Sequence, residues 1–217
     1  MESTHPGMPR EDYLAVMKES FDTAYRTRGD LWTGEPAMRH LVGLLTGRLA
    51  PDSHVLDVGA GRLRDTEVLL DAGLRVTAVD LVRQEEWDRV GERWGDRVRF
   101  DVGDARDLSA DAEYDAVLDN GSLHHQLPED YPDYLGALRR SLRPGGLFAV
   151  SLFAQPEQET EGSLLVLEDG RFSRVFTPDE SRALLAENGF AVTTTRRVER
   201  DIHGWAYLLV LARSTRD

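Results

Sequence analysis

Residues 54–61 read HVLDVGAG, and this stretch decides the fold that we predict for the chain. Its short apolar run leads to Asp57, and two glycines follow closely. An amphipathic run over 64–73 comes next, and a second apolar run ends at Asp80. The order strand, glycine turn, helix and strand, with a carboxylate about 20 residues after the first glycine, is typical of a nucleotide-type cofactor site. Glycine lets the backbone approach a cofactor, and the acid can accept hydrogen bonds from ribose hydroxyls.

Strand-like and helix-like runs continue to alternate beyond this unit. The predicted strands cover 55–58, 75–79, 98–100, 116–118 and 147–153, and the predicted helices cover 11–28, 37–48, 64–72, 83–94, 131–142 and 178–188. Alternation of this kind predicts a parallel sheet with helices on both faces, an α/β fold.

Two segments depart from the alternation. The strand-like runs 190–198 and 205–213 are joined by a link too short for a crossover helix, which predicts an antiparallel C-terminal strand pair. The acidic segment 155–176 is predicted to be an insertion, and two short strands around Asp169-Gly170 would make it a hairpin.

Composition narrows the class of protein. The 217 residues predict one domain, 1–217, with a helical segment over 1–50 and a core over 51–217. A 41% hydrophobic and 30% charged composition is ordinary for a soluble protein. No apolar run approaches the ~18 residues of a membrane span, and the polar N-terminus carries no signal core, so we expect a cytoplasmic location.

Charge and cysteine content exclude several kinds of site. The chain has no cysteine, hence no disulfide and no thiolate metal ligand. A net charge of −13 argues against binding a nucleic-acid backbone, which needs clustered lysine and arginine. The expected partner is therefore a small molecule, with no nucleic acid and no membrane, while the oligomeric state stays open.

The glycine turn does not fit a dinucleotide. An NAD fingerprint needs a glycine at the sixth position counted from Gly59, where Arg64 stands, and a P-loop is absent. Taken singly, Asp57 is more often a turn residue, and Asp80 could cap a helix or Asp104 be a solvated loop acid. Their joint occurrence, in order, points instead to a different cofactor.

The chain resembles the class I S-adenosylmethionine-dependent methyltransferases from about residue 32 to residue 213. Residues 55–61 resemble the motif under the methionine end of the cofactor, with Leu63 in place of its third glycine. Asp80 matches the family's ribose-binding acid, and Asp104-Ala105 matches the pair that contacts the adenine. The segment 114–119 ends at the loop that lies beside the transferable methyl group. The resemblance implies a Rossmann-like sheet of seven mostly parallel strands. It also implies that S-adenosyl-L-methionine is held by Asp57, Gly59, Ala60, Gly61, Asp80, Leu81, Asp104, Ala105, Asp119 and Asn120.

Candidate bases lie in the loop 119–126. Methyl transfer from a sulfonium is an in-line displacement, so positioning can supply much of the acceleration. An oxygen or protonated nitrogen acceptor also benefits from a base, and histidine suits proton removal near neutral pH. We name His124 and His125 as candidate catalytic residues, with His124 favoured because it is nearer Asp119. Alternatively, one of them stabilises the loop. No third ligand accompanies them, so no metal site is predicted.

The N-terminal segment is similar to a lid. Residues 25–36 are similar to the lid of small methyltransferases related to thiopurine and tellurite-resistance enzymes, where an aromatic side chain closes the site. Trp32 is the principal candidate and Tyr25 the second, with core packing of Trp32 as the alternative. Phe153 and the insertion 155–176 are expected to complete the acceptor pocket. Residues 119–122 lack the motif of the amino-group nucleic-acid methyltransferases.

The sequence thus predicts metal-independent methyl transfer to an oxygen, nitrogen or sulfur of a small molecule, mainly by positioning and with a histidine as the candidate base, in specialised metabolism or detoxification. One alternative is a non-catalytic S-adenosylmethionine-binding sensor or assembly protein, to which Leu63 gives some weight. A dinucleotide-dependent oxidoreductase is a third and weaker alternative.

Overall fold

A computed structural model describes residues 8–155, 161–200 and 205–215. Its helices are α1 (Arg10–Arg26), α2 (Leu31–Gly34), α3 (Arg39–Thr46), α4 (Arg64–Asp71), α5 (Glu86–Trp94), α6 (Tyr131–Ser141) and α7 (Pro178–Glu187). Its strands are β1 (His54–Val58), β2 (Arg75–Asp80), β3 (Val98–Val102), β4 (Tyr114–Asn120), β5 (Leu142–Ala154), β6 (Ser163–Val166), β7 (Phe172–Phe176), β8 (Phe190–Glu199) and β9 (Ala206–Ser214). The short helix α2 lies between the predicted helices 11–28 and 37–48. No helix in the described part of the chain is long and apolar enough to cross a membrane.

The central sheet has the predicted topology. Strands β3, β2, β1, β4 and β5 lie side by side and parallel, and β9 then pairs antiparallel with β5 and with β8. These are the seven strands of the predicted Rossmann-like fold. Val58 is in register with Val79 of β2 and Asp119 of β4, so these three strands end together. The residues that follow them therefore meet at one edge, where open α/β sheets bind their ligands.

Strands β6 and β7 form a hairpin that joins the same sheet. Strand β7 runs parallel to β5 but pairs with it only at Phe153 and Ala154. Strand β9 pairs with one edge of β5 as far as Ala154, and the pairing of β4 with the other edge ends at Ser151. Strand β7 therefore pairs with the same edge of β5 as β4 does, at residues beyond the end of the β4 pairing. The hairpin stands above the carboxyl end of β4, beside the candidate site; residues 156–160 of the insertion lie outside the described residues.

Apolar side chains fill both faces of the sheet. One cluster includes Leu41 of α3, Leu69 of α4 and Trp87 of α5, and the other includes Leu135 of α6 and Leu185 of α7. Parallel strands buried in this way read as continuous apolar runs, which explains why the sequence signals them clearly.

Helix α1 packs across the carboxyl edge rather than on a face. Tyr13 and Met17 form a third cluster with Leu127 and Phe172 of β7. The Tyr13 hydroxyl donates to the carbonyl of His125 at 2.7 Å and accepts the N–H of Phe172 at 3.0 Å. One side chain thereby connects α1, the histidine loop and the hairpin.

Leu63 keeps the turn that a glycine would make. Its φ is 64°, in the left-handed region, and it caps the N-terminus of α4. A side chain costs about 1 kcal/mol in this conformation. Leu63 is fully buried in the core cluster with Leu41 and Leu69, and this burial offsets the strain. Leu63 therefore keeps the backbone conformation of the turn and changes only the packing around it.

Candidate active site

The glycine turn after β1 forms a close-packed cradle. Gly59 and Gly61 have φ of 70° and 49°, conformations that favour glycine. The N–H of Gly59 donates to the carbonyl of Val79 at 2.8 Å. A Cβ at Gly59 would lie 1.9 Å from Oγ of Ser122, and one at Gly61 would lie 2.6 Å from the Tyr25 hydroxyl. The turn thus leaves no room for side chains where a cofactor would rest.

Asp80 closes β2 beside this cradle. Its Oδ2 accepts the N–H of Gly61 at 2.8 Å and its Oδ1 accepts the N–H of Val82 at 2.9 Å. Burial raises the pKa of Asp80 to about 6, against the effect of these backbone bonds. The residue lines the cavity described below, and each oxygen keeps a further lone pair. Its geometry suits two neighbouring hydroxyl donors, such as those of a ribose.

Asp104 and Ala105 follow β3 at the same edge. Oδ2 of Asp104 lies 2.8 Å from Nε of Arg106 and 3.4 Å from a guanidinium nitrogen of Arg10, which comes from α1. Burial alone would raise the pKa of Asp104, but the hydrogen bonds from Arg106 hold it below its ordinary value. Arg106 also pairs with Asp130. This carboxylate is therefore fixed as an anion on the cavity wall.

Four residues predicted to contact the cofactor lie behind the wall instead of on it: Asp57, Ala60, Gly61 and Asp119 are absent from the cavity lining. Asp57 accepts the hydroxyl of Thr66 at 2.5 Å, and burial raises its pKa to about 7. Asp119 accepts the N–H of Ser122 at 2.7 Å and the hydroxyl of Tyr134 at 2.8 Å. Both carboxyls stabilise the loops that form the cavity wall.

The other predicted residues share one cavity. It encloses about 920 Å³ of space between atoms, including its open mouth. The predicted residues that line it are Tyr25, Trp32, Gly59, Asp80, Leu81, Asp104, Ala105, Asn120, His124, His125 and Phe153.

The end of the cavity away from Asp104 has aromatic walls. The rings of Phe21 and Trp32 meet edge to face at 5.8 Å, and Phe153 stacks on Tyr207 at 5.4 Å. Phe21, Tyr207 and Arg200 also line the cavity, and sequence reasoning missed all three. Phe21 has the helical spacing of a core residue, and Tyr207 lies within a continuous apolar strand. Nothing in the sequence distinguishes Arg200, which directly follows β8, from the arginines within that strand.

Both predicted histidines are buried at this aromatic end. His124 stacks on Phe153 with ring centroids 4.0 Å apart, and Nδ1 of His125 lies 2.9 Å from the carbonyl of Phe172. Burial, with the charge of Arg171, lowers the pKa of His125 to about 4, and burial lowers that of His124 well below its ordinary value. Both imidazoles are therefore neutral at physiological pH.

Two arginines attach the N-terminal segment to the glycine turn. Arg62 donates to Asp30 at 2.8 Å, to Glu86 at 2.7 Å and to the carbonyl of Tyr25 at 2.6 Å. Arg64, which replaces the glycine of an NAD fingerprint, donates to the carbonyl of Trp32 at 2.9 Å. The segment that carries both lid aromatics is thus bonded directly to the turn beneath it.

Within the described ranges, no group of three or more histidine, aspartate or glutamate residues is arranged to hold a metal ion.

Comparison with known proteins agrees with this geometry. Residues 55–146 match the family model described as a methyltransferase domain. The structure is similar to that of 1,6-didemethyltoxoflavin-N1-methyltransferase from Burkholderia thailandensis, which contains 1,6-didemethyltoxoflavin and S-adenosylhomocysteine. The two chains are 40% identical, with a TM-score of 0.93, and the match covers 97% of this chain and 92% of the other.

More distant proteins share parts of the chain or its fold. The demethylmenaquinone methyltransferase of Renibacterium salmoninarum is 32% identical over 150 residues, which are 68% of this chain and 61% of that protein. The chain thus spans less than two thirds of that relative. A [4+2]-cyclase, SpnF, is 19% identical with a TM-score of 0.67, the match covering 81% of this chain and 80% of that one. That likeness concerns the fold alone.

The matched family region does not contain the whole cavity. Residues 55–146 include Gly59, Asp80 and Asp104 but not Trp32 or Phe153. The aromatic end is therefore built largely from parts of the chain outside the family model.

Proposed function

This chain belongs to the S-adenosylmethionine-dependent methyltransferases, and from this premise we propose that it methylates a nitrogen atom of a small planar aromatic molecule without a metal ion. The observation that carries the proposal is the single cavity in which the cradle of Gly59, Asp80 and Asp104 opens onto an aromatic pocket. We propose further that 1–217 acts as one methyltransferase domain, with 1–50 as its lid segment.

In this proposal the sheet edge holds S-adenosyl-L-methionine, which supplies a methyl group on a positively charged sulfur, already activated for displacement. Gly59 lets the backbone approach the methionine part, and Asp80 accepts hydrogen bonds from the ribose. Asp104 and Ala105 contact the adenine. Asp57 and Asp119, being buried behind the wall, act through the loops that they support.

The aromatic end accepts the second molecule. Phe21, Trp32, Phe153 and Tyr207 offer flat apolar surfaces, which favour a planar ring through stacking and edge contacts. Nitrogen is the acceptor atom named for the Burkholderia thailandensis relative, which is 40% identical. Such an acceptor, held against these rings, would be fixed in line with the methyl group.

Positioning, rather than proton removal by histidine, is the proposed source of catalysis. A general base works best when its pKa is near the working pH. The pKa of His125 is lowered to about 4 and that of His124 is lowered well below its ordinary value, so each is a weak base. A fixed geometry for displacement requires no base from the protein when the acceptor nitrogen carries a free lone pair.

Calorimetry followed by a transfer assay tests the proposal. The full chain should bind S-adenosylhomocysteine, and with S-adenosylmethionine it should convert 1,6-didemethyltoxoflavin or a related ring to a product one methyl group heavier. Nuclear magnetic resonance of the product should place the methyl on nitrogen. Binding of S-adenosylhomocysteine without transfer to any planar acceptor would favour the cofactor-binding sensor instead, and methylation on oxygen or carbon would contradict the proposed acceptor atom.

The pH dependence of turnover tests the role of the histidines. We expect kcat of the native chain and of His124→Gln to vary in parallel between pH 6 and 9, because glutamine accepts a hydrogen bond but no proton in this range. A fall in kcat toward acidic pH that is present in the native chain and absent from His124→Gln would establish His124 as a base.

A further inference from the structure

His124 has a buried nitrogen without a partner at the aromatic end of the cavity. The side chain is 2% exposed and lines the cavity. Its Nδ1 has no hydrogen-bond partner among the described residues, whereas the ring is hydrogen-bonded to the backbone of Ser151. Because Nδ1 is unpaired, this bond uses Nε2, whose proton goes to the Ser151 carbonyl. Nδ1 of the neutral ring is then left as an acceptor. A buried acceptor left unpaired is destabilising, so it marks a place where a bound molecule can donate a hydrogen bond.

Arg200 brings donors to the same place. Its side chain is only 10% exposed, and Cζ lies 5.3 Å from the ring centre of Phe153, the ring on which His124 stacks. Nε contacts Oε2 of Glu35 at 3.4 Å. The arginine lines the cavity. Neither of its two terminal nitrogens is hydrogen-bonded to a described side chain. These nitrogens can therefore donate to an oxygen of a bound molecule.

We infer that His124 and Arg200 together recognise an acceptor ring that carries a lactam edge, with a ring N–H directed to Nδ1 of His124 and the adjacent carbonyl oxygen directed to the guanidinium of Arg200. The inference rests on the proposed function and names the class of acceptor for its site. In this arrangement both are specificity-determining residues.

The surroundings explain why Nδ1 of His124 acts only as a hydrogen-bond acceptor and Arg200 only as a donor. His124 lies against His125, at 4.4 Å between ring centroids, and near the positive charges of Arg171 and Arg200, so a second proton on its ring is disfavoured. The guanidinium of Arg200 has donors only, and Glu35 contacts its Nε side. One group is thus an acceptor only and the other a donor only. A ring with the reverse pattern would leave both unpaired, which is a strong basis for rejection.

Three ligands with one ring frame test the inference by binding alone. Quinazoline-2,4-dione has N–H and carbonyl groups, its 1,3-dimethyl derivative has the carbonyls only, and quinazoline has neither. Their dissociation constants are measured by calorimetry on the full chain saturated with S-adenosylhomocysteine. The native chain should bind the dione about tenfold more tightly than the dimethyl derivative, and the dimethyl derivative more tightly than quinazoline.

The variants separate the two contacts. His124→Phe should abolish the preference for the dione over its dimethyl derivative, while His124→Gln, which keeps an acceptor, should retain part of it. Arg200→Met should abolish the preference of both carbonyl compounds over quinazoline, and Arg200→Lys should restore part of that preference. The exposed residues His40 and Arg196 provide the matched controls His40→Phe and Arg196→Met, which should bind like the native chain. Binding of S-adenosylhomocysteine by each variant verifies its fold.

The outcomes distinguish this inference from the proposed function. Equal affinity of the native chain for all three compounds, no binding of any, or preferences unchanged in His124→Phe and Arg200→Met would overturn the inference. Methylation of a planar nitrogen acceptor together with such results would leave the proposed function intact. The expected preferences without methyl transfer to any nitrogen would instead overturn the proposed function and keep the lactam-recognition site.

Discussion

The two ends of the cavity are built in different ways. At the cofactor end, Gly59, Asp80 and Asp104 directly follow or close three neighbouring parallel strands, and the register of those strands brings them together. At the aromatic end, Phe21, Trp32, Phe153 and Tyr207 come from α1, α2, β5 and β9. The first end uses backbone geometry shared by the fold, and the second uses side chains that can change without altering the sheet. We infer that the first end is the more sensitive to small backbone changes and the second to changes in substrate.

The largest expected effect concerns the cradle. In Gly59→Ala the new Cβ would lie 1.9 Å from Oγ of Ser122. We expect the affinity for S-adenosylhomocysteine, measured by calorimetry, to fall by about 100-fold, the size of one lost close backbone approach with its bonds. Gly73→Ala is the matched control, because Gly73 has a φ of 81° but open space around it. Equal losses in the two variants would show that strain, not the cradle, is responsible.

The carboxyl beneath the cradle should make stability depend on pH. Burial raises the pKa of Asp57 to about 7 from 3.8, so between these values the folded chain holds a proton that the unfolded chain has released. This contribution is fully present below pH 4 and is lost as the pH rises through 7. Asp57→Asn should therefore raise the free energy of unfolding at pH 8 by on the order of 2 kcal/mol and leave it nearly unchanged at pH 4.

Urea unfolding at several pH values measures this difference, with Asp96→Asn at an exposed position as the control. A variant that loses more stability at pH 8 than at pH 4 would contradict this expectation and show that Asp57 stabilises the cradle as an anion.

The aromatic end should respond in the opposite way to the cradle. Trp32→Leu removes a ring that contacts both Phe21 and Tyr25 at 5.8 Å. We expect KM for the acceptor to rise about tenfold, the loss of one aromatic contact with its buried area, while the affinity for S-adenosylhomocysteine stays within about twofold. Trp32→Phe should recover part of the loss. A parallel loss of cofactor affinity in Trp32→Leu would mean that the two ends are not independent.

The smallest effect distinguishes strain from packing at Leu63. Both Leu63→Ala and Leu63→Gly remove a buried side chain and should destabilise the chain. Because φ is 64°, glycine should be the less harmful replacement, by about 0.5–1 kcal/mol in urea unfolding. At an ordinary helical position the order is reversed, so a more stable Leu63→Ala would argue against left-handed strain in solution.

The fold was largely predictable because its signals are local. Apolar runs predicted β1, β2, β4 and β9 within a few residues, and the short link before β9 predicted its antiparallel pairing. The hairpin was also predicted, but its pairing with β5 was not, since that contact depends on where β4 ends.

The candidate site was predictable only in part. Asp80 and Asp104 lie on the cavity wall as expected from their places at strand ends. Asp57 and Asp119 have equally suggestive places, yet their side chains turn to Thr66 and Tyr134 instead. Which way a carboxylate turns depends on partners distant in sequence, and the motif itself carries no information about them.

The sequence by itself determined the alternating strands and helices, the antiparallel C-terminal pair and the edge at which a cofactor meets the sheet, because strand ends, glycine turns and short links act over a few neighbouring residues. The tertiary structure alone decided the acceptor pocket. It brought Phe21, Phe153 and Arg200 to one cavity and buried His124 against Phe153. Those contacts join residues from separate elements of the fold, and their chemistry arises from burial and from neighbouring charges that no local pattern contains.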